Sequence, residues 1–182
     1  MNLLDRARLF ATKAHEGQVR KATNTPMISH PIRVAEMLKE AGFSDEVVAA
    51  GYLHDTVEDT IVTQEDIFKE FGKEVSLIVQ GNTENKDHSW EMRKQHTIDW
   101  IAKAPLEIKA LIVADKLDNL QSLIKDYETL GEELWANFKR GKEQQAWYFK
   151  GVAMNMYKGL NPETAPLFFS LYAKQVEEFF GN

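Results

Sequence analysis

Four ionisable side chains fall within six positions of this sequence: His54, Asp55, Glu58 and Asp59. They directly follow the apolar run 47–53, and such an apolar helix seldom ends in carboxylates without a reason. At helical spacing, His54 pairs with Glu58 and Asp55 pairs with Asp59, each at i, i+4. The pattern predicts a histidine and an aspartate facing one metal, with two further acids a turn beyond.

Two more segments offer metal ligands to this cluster. His30 and Asp115 lie at a helix start and after an apolar run, where a polar side chain needs a partner. With His54 and Asp55 they form a mixed N/O donor set, which suits manganese, iron, zinc or magnesium. The alternative for a lone histidine is a structural role, and a lone Asp115 could pair with a nearby lysine.

The acids next to the predicted metal suggest hydrolysis. A bound metal lowers the pKa of water and polarises a phosphoryl oxygen. Glu58 or Asp59 could accept the proton as a general base, and adjacent carboxylates would titrate as a coupled set. The alternative is a solvated acidic helix end. However, a helix C-terminus disfavours negative charge, so acids there indicate a compensating cation.

Substrate-binding candidates are Arg20, Lys21 and Asn119. Arg20 and Lys21 are adjacent in a polar loop and could supply positive charge for phosphates. Asn119 lies one turn beyond Asp115, so both can face one site. The alternatives are two solvated loop cations and a helix-surface amide.

The elements that position these residues are all predicted to be helical. Apolar residues recur at helical spacing, and no segment shows sustained strand alternation. We expect an all-α fold, with residues 1–182 forming a single compact domain of about eight to ten helices. Ser44 is predicted to cap one helix and Gly72 to break another. The predicted helices are 3–16, 29–42, 44–59, 63–71, 75–81, 90–102, 105–124, 144–158 and 166–180.

Composition narrows the class of protein. The 182 residues include 22 Lys and Arg against 28 Asp and Glu, a formal net charge of −6, and no basic stripe suggests nucleic-acid binding. The absence of cysteine excludes thiolate chemistry and disulfides and fits a cytoplasmic location. We expect no signal peptide and no membrane partner, because no long apolar segment occurs.

Four sequence words together resemble the HD phosphohydrolase superfamily, with the closer likeness to the hydrolase domain of RelA/SpoT alarmone enzymes and to small, metazoan SpoT homologue-like alarmone hydrolases. The word His-Asp-Thr-Val-Glu-Asp-Thr is the most specific of them. The words span residues 15–21, 28–32, 53–60 and 114–120.

The resemblance implies a role for each candidate residue. It implies one metal ion, usually manganese, held by His30, His54, Asp55 and Asp115. Glu58 and Asp59 would orient and deprotonate the attacking water. Arg20 would lie near the nucleotide, and Asn119 would lie beside the site.

The implied reaction is removal of the 3′-pyrophosphate from a guanosine alarmone. Relatives that act on adenosine alarmones or on the 2′-phosphate of NADPH keep other phosphorylated nucleotides open as substrates, and a non-catalytic nucleotide-binding HD module is a further alternative. The length leaves no room for a synthetase domain, so we expect degradation only. Met27 and Asp118 stand where the family often has other residues, and the base is therefore not predicted.

Overall fold

The described part of the chain, residues 1–20 and 24–181 of a computed structural model, contains nine α-helices and one 3-10 helix. Its extended pairing consists of one isolated bridge between Val19 and Pro26. The predicted all-α fold and helix number are therefore confirmed. The helices are α1 (Leu3–Ala14), α2 (Ser29–Glu40), α3 (Asp45–Leu53), α4 (Thr56–Asp59), α5 (Gln64–Asn82), α6 (Trp90–Lys103), α7 (Leu106–Leu130), the 3-10 helix (Gly131–Asn137), α8 (Lys142–Asn155) and α9 (Leu167–Phe180).

Local sequence explains several helix ends. Thr63 begins α5 with a capping box, in which its hydroxyl accepts from the Asp66 amide and the Asp66 carboxylate accepts from the Thr63 amide. Ser89 caps α6 in the same way through its hydroxyl. Ser44 occupies the predicted position before α3, but its side chain makes no capping hydrogen bond.

The predicted break at Gly72 is a kink within α5. Gly72 has φ of 86°, a left-handed conformation that glycine adopts without steric cost. The backbone at Gly72 is not helical, so the predicted break is confirmed, and the helical segments on either side meet at this kink within Gln64–Asn82.

The centre of the fold is α3, in which every residue from 47 to 53 is buried. It packs against α1, α2, α5 and α7. A Cβ atom on Gly51 would lie 2.9 Å from the Ala35 Cα, so glycine permits this close approach of α3 to α2. As a result, the C-terminal end of α3 meets the first turn of α2 and the middle of α7. No helix in the described residues is both long and apolar enough to span a membrane.

Candidate metal centre and active site

Three elements deliver side chains to one buried point. His30 comes from the first turn of α2, His54 follows α3, and Asp115 lies at the end of the buried run in α7. Their ligand atoms lie within 4.8 Å of one another. The His30 Nε2 atom is 3.1 Å from both His54 Nε2 and Asp115 Oδ1. All three residues are buried.

Asp55 completes the predicted set of four. Its Oδ1 atom lies 3.2 Å from His54 Nε2, and its Oδ2 atom lies 3.6 Å from His30 Nε2. The structure therefore brings the four candidate ligands together, with two imidazole nitrogens and two carboxylates facing one another.

Hydrogen bonds on the far side of each ring define which nitrogen faces the centre. His54 Nδ1 lies 2.7 Å from the Gly51 carbonyl oxygen, which can only accept a hydrogen bond. His30 Nδ1 lies 2.6 Å from Asp118 Oδ2, whose pKa is lowered because the His30 and Arg33 hydrogen bonds outweigh burial. Both Nδ1 atoms therefore donate, and both Nε2 atoms face the centre, where each can bind a metal once its proton is displaced. This donor set fits a divalent cation.

The pKa values show the same concentration of negative charge. Burial lowers the pKa of His54, but the Asp55 and Asp115 carboxylates outweigh burial and raise it to about 9. Burial raises the pKa of Asp115, yet Lys116 and the two histidines hold it well below its usual range. A centre that binds protons this strongly also attracts a divalent cation, for the same electrostatic reason.

The turn from α3 to α4 differs from the predicted continuous helix. α3 ends at Leu53, and the Thr56 hydroxyl donates to the Leu53 carbonyl at 2.7 Å as the separate four-residue α4 begins. The predicted continuous helix is therefore interrupted here, although the Asp59 amide donates to the Asp55 carbonyl at 2.9 Å, which is the predicted i, i+4 relation of these two residues. The turn nevertheless brings Asp55, Glu58 and Asp59 to the wall of one cavity of about 240 Å³.

Glu58 and Asp59 have different surroundings in this cavity. Glu58 is half-buried, and its Oε1 atom accepts a hydrogen bond from the Glu84 amide. Burial raises the pKa of Glu58 to about 7. Asp59 is exposed, and its carboxylate pairs with Lys86 at 3.2 Å. Glu58 is therefore the acid whose charge changes most readily near neutral pH.

The substrate-binding candidates Arg20 and Asn119 also line this cavity. Asn119 donates to Asp115 Oδ1 at 2.9 Å, and the Arg20 guanidinium donates to Asn119 Oδ1 at 3.3 Å and to Ser122 Oγ at 3.0 Å. Arg20 is therefore linked to the metal centre through Asn119. Lys21 lies outside the described residues.

Two lysines that the sequence did not assign also line this cavity, Lys94 and Lys116. Lys116 Nζ lies 2.8 Å from Asp115 Oδ2, and Lys94 Nζ lies 2.6 Å from Glu84 Oε1. The position of Lys116 directly after Asp115 was a usable signal. Lys94 lies among charged residues typical of a solvated helix face, and only the packing of α6 brings it to the site.

Asn82 is a third residue whose role the sequence did not indicate. It is the last residue of α5, and its side-chain amide donates to Asp115 Oδ2 at 3.2 Å. With Asn119 and Lys116, Asn82 completes a set of three donors around the Asp115 carboxylate. These bonds fix the orientation of that carboxylate toward the histidines.

Two neighbouring cavities differ in character. One, of about 370 Å³, shares Arg20, Lys94, Lys116 and Asn119 with the site and adds aromatic walls that include Tyr148. Tyr148 is buried, and it also lines this space. The other cavity is larger, about 600 Å³, with mostly apolar walls from α5, α6 and α7. It shares Asn82, Glu84 and Thr97 with the site cavity, but none of the four candidate metal ligands lines it.

Comparison with known proteins identifies the HD domain family over most of the chain, the family that the sequence words resemble. The profile of the family described as "HD domain" matches residues 7–143. A crystal structure of lmo0812 from Listeria monocytogenes EGD-e is 51% identical, with a TM-score of 0.81, and the match covers 84% of this chain and 99% of that one. A metazoan SpoT orthologue, described as hydrolysing ppGpp, is 27% identical with a TM-score of 0.78, over 98% of this chain and 95% of the other.

Two curated relatives are named as hydrolases of guanosine 3′,5′-bis(diphosphate). The Danio rerio guanosine-3′,5′-bis(diphosphate) 3′-pyrophosphohydrolase MESH1 is 40% identical over 117 residues, which are 63% of this chain and 65% of that protein. A probable enzyme of the same activity from Synechocystis is 35% identical over 128 residues, 66% of this chain but 17% of the relative. The chain thus spans less than two thirds of the length of each. From the matched profile and the His/Asp cluster that fits a divalent cation, the chain belongs to the HD domain family.

Proposed function

We propose that this protein is a metal-dependent phosphohydrolase that releases pyrophosphate from the 3′ position of an alarmone nucleotide such as guanosine 3′,5′-bis(diphosphate). The observation that carries the proposal is the buried His/Asp centre opening into a cavity that also holds an acid of raised pKa and several cations. The names of the Danio rerio and Synechocystis relatives and of the metazoan SpoT orthologue support the substrate class.

The proposed metal ligands are His30, His54, Asp55 and Asp115, and the proposed ion is Mn²⁺. A bound divalent ion would lower the pKa of a water ligand and polarise a phosphoryl oxygen. The hydrogen bonds from the Nδ1 atoms of His30 and His54 keep both Nε2 atoms available as ligands.

We assign Glu58 as the general base for the attacking water. A base with a pKa near the working pH combines the correct charge state with a strong enough proton affinity, and burial gives Glu58 this property. Asp59, on the solvent side of the same turn, would orient the water together with Glu58. Lys86, which pairs with Asp59, would limit the motion of that carboxylate.

Three cations, Arg20, Lys94 and Lys116, line the cavity beside its acids. We propose that Arg20 binds substrate phosphate, with Lys21 beside it in the sequence, and that Asn119 positions both Arg20 and the Asp115 carboxylate. Lys94 and Lys116 would neutralise further phosphate charge. The adjoining aromatic cavity of about 370 Å³ has room for part of a nucleoside.

We further propose that residues 1–182 form one HD-type domain and that the protein acts in the cytoplasm, as its lack of cysteine suggests. Its partner would be a small phosphorylated nucleotide.

A substrate panel tests the function. The purified protein with Mn²⁺ would be incubated with guanosine alarmones, adenosine alarmones and NADPH, and the products resolved by chromatography. We expect pyrophosphate release from a 3′-pyrophosphorylated nucleotide, and none with the Glu58→Gln, Asp59→Asn double variant. Release of a single phosphate from NADPH alone would reassign the enzyme as a nucleotide phosphatase. Binding without turnover of any panel member would indicate a non-catalytic module.

A further inference from the structure

A third carboxylate, Asp118, lies directly behind the metal centre. It follows Asp115 by one turn on α7 and is buried. Its Oδ2 atom is 2.6 Å from His30 Nδ1, on the side of the ring opposite the other ligands. A buried carboxylate costs free energy unless it is fully paired, so its partners indicate why it is there.

The second partner of Asp118 is Arg33, which lies one turn beyond His30 on α2. Arg33 Nε is 2.6 Å from Asp118 Oδ1, and Arg33 Nη2 is 3.0 Å from Asp118 Oδ2. This is a bidentate pair, which fixes the plane of the carboxylate as well as its position. Asp118 is thus held by two donors from α2, and it links the helix that carries His30 to the helix that carries Asp115.

We propose that Asp118 and Arg33 are positioning residues for the divalent-ion site, a role that rests on the metal centre of the proposed function. Asp118 holds the His30 ring in the orientation in which Nδ1 donates a hydrogen bond and Nε2 can bind the metal ion. Arg33 prevents the Asp118 carboxylate from rotating away from His30. We call these three side chains the Asp118 clamp.

A purely structural link between α2 and α7 would not need to involve a metal ligand. An exposed Arg–carboxylate pair elsewhere would join the helices equally well. The contact with His30 Nδ1 is different, because a carboxylate acceptor there orients the ring and increases the ligand strength of Nε2. His54 has a neutral acceptor in the same place, the Gly51 carbonyl. The clamp therefore acts on one of the two imidazoles only.

The first test measures Mn²⁺ affinity by the electron paramagnetic resonance signal of the free ion, without any nucleotide. Asp118→Asn, which keeps the side-chain shape, should weaken Mn²⁺ binding by about 10- to 100-fold. Arg33→Gln should weaken it in the same direction but less, because Asp118 remains. Matched controls are Glu91→Gln and Arg140→Gln, which break a bidentate pair of similar geometry, 2.8 and 3.1 Å, and should bind Mn²⁺ like the parent.

The second test reports on the ring itself. In the proton NMR spectrum of the Zn²⁺-loaded protein, the proton on His30 Nδ1 should give a downfield resonance that is protected from exchange with solvent. This resonance should be shifted or lost in Asp118→Asn and retained in Glu91→Gln. A merely structural role would leave this resonance in place. Parental Mn²⁺ affinity and an unshifted resonance in Asp118→Asn and Arg33→Gln would overturn the clamp. If Asp118→Asn does not fold, the partly exposed Arg33→Gln decides the question.

These tests distinguish a failure of the Asp118 clamp from a failure of the proposed function. A parent protein that binds Mn²⁺ tightly, with weaker binding in Asp118→Asn, supports the clamp even if no alarmone is hydrolysed. A parent that hydrolyses an alarmone while Asp118→Asn binds Mn²⁺ normally overturns the clamp and leaves the function intact.

Discussion

At the scale of single residues, the proposed chemistry depends on the different environments of two neighbouring acids. Glu58 is half-buried against Glu84, whereas Asp59 is exposed beside Lys86. The sequence placed both acids beside the metal ligands, but it could not distinguish them. The difference arises from Glu84 and Lys86, which belong to the loop after α5 and reach the site only through tertiary packing.

The pH dependence of turnover should reflect Glu58. A general base acts in its ionised form, so activity should rise with pH through the pKa of this group. Burial places that pKa at about 7, and the positive charge of a bound ion would lower it. We therefore expect the rising limb of the pH–rate profile at or below about 7.

Glu58→Gln should remove this limb and lower kcat by about 10²- to 10⁴-fold, the usual contribution of a general base. Glu65→Gln, at an exposed i, i+4 pair on α5, is the control and should keep the parental profile. A Glu58→Gln variant with parental kcat and an unchanged limb would show that another group is the base.

At the scale of elements, the metal centre exists because α3 approaches α2 closely. The sequence predicted both helices and the ligands at their ends, since those follow from apolar spacing and local signals. It did not predict that α3 ends at Leu53, because the i, i+4 pattern continues through residue 59 and only the Thr56 hydrogen bond shows the turn. Likewise, Ser44 has the right residue type and position for a cap without making the bond.

Gly51→Ala should disturb the distance between α2 and α3. The new Cβ would lie 2.9 Å from the Ala35 Cα, a backbone atom that cannot move without shifting α2. Overpacking of this kind costs about 1–3 kcal/mol, which outweighs the gain in helix propensity of about 1 kcal/mol. We expect a lower free energy of unfolding in chemical denaturation and weaker Mn²⁺ binding, because His30 moves relative to His54.

Gly141→Ala is the matched control, since a Cβ there meets no atom within 4 Å and the backbone has an ordinary negative φ. Because Gly141 is the N-cap of α8, alanine there should cost about 0.5–1 kcal/mol, less than Gly51→Ala, and it should leave Mn²⁺ affinity unchanged. Equal behaviour of the two variants would mean that the α2–α3 contact does not set the geometry of the centre.

At the scale of the whole molecule, residues far apart in the sequence converge on one buried cluster. A cation that binds this cluster only in the folded state would stabilise the fold. The sequence indicated the proposed ligands His30, His54, Asp55 and Asp115 because each stands in a recognisable local word. It gave no equivalent signal for Asn82 or Lys94, and although Asp118 lies in the word 114–120, nothing there indicated its contact with His30. All three contacts form only when the helices meet in the folded chain.

Mn²⁺ should therefore raise the thermal stability of the protein. Binding to the folded state alone adds about 2.7 kcal/mol at a free ion concentration of 100 times Kd. For a chain of this size that corresponds to a rise in Tm of about 5–10 °C. Differential scanning fluorimetry should show the shift in the parent and a much smaller one in Asp115→Asn. An equal shift in both would place the ion elsewhere.

The most direct test of the account is pyrophosphate release from guanosine 3′,5′-bis(diphosphate) before and after treatment with a chelator, followed by chromatography. We predict conversion to guanosine diphosphate and pyrophosphate, loss of that activity when the chelator is added, and recovery with Mn²⁺ better than with Mg²⁺. Unchanged turnover in the presence of chelator, or no pyrophosphate release under any of these conditions, would contradict it.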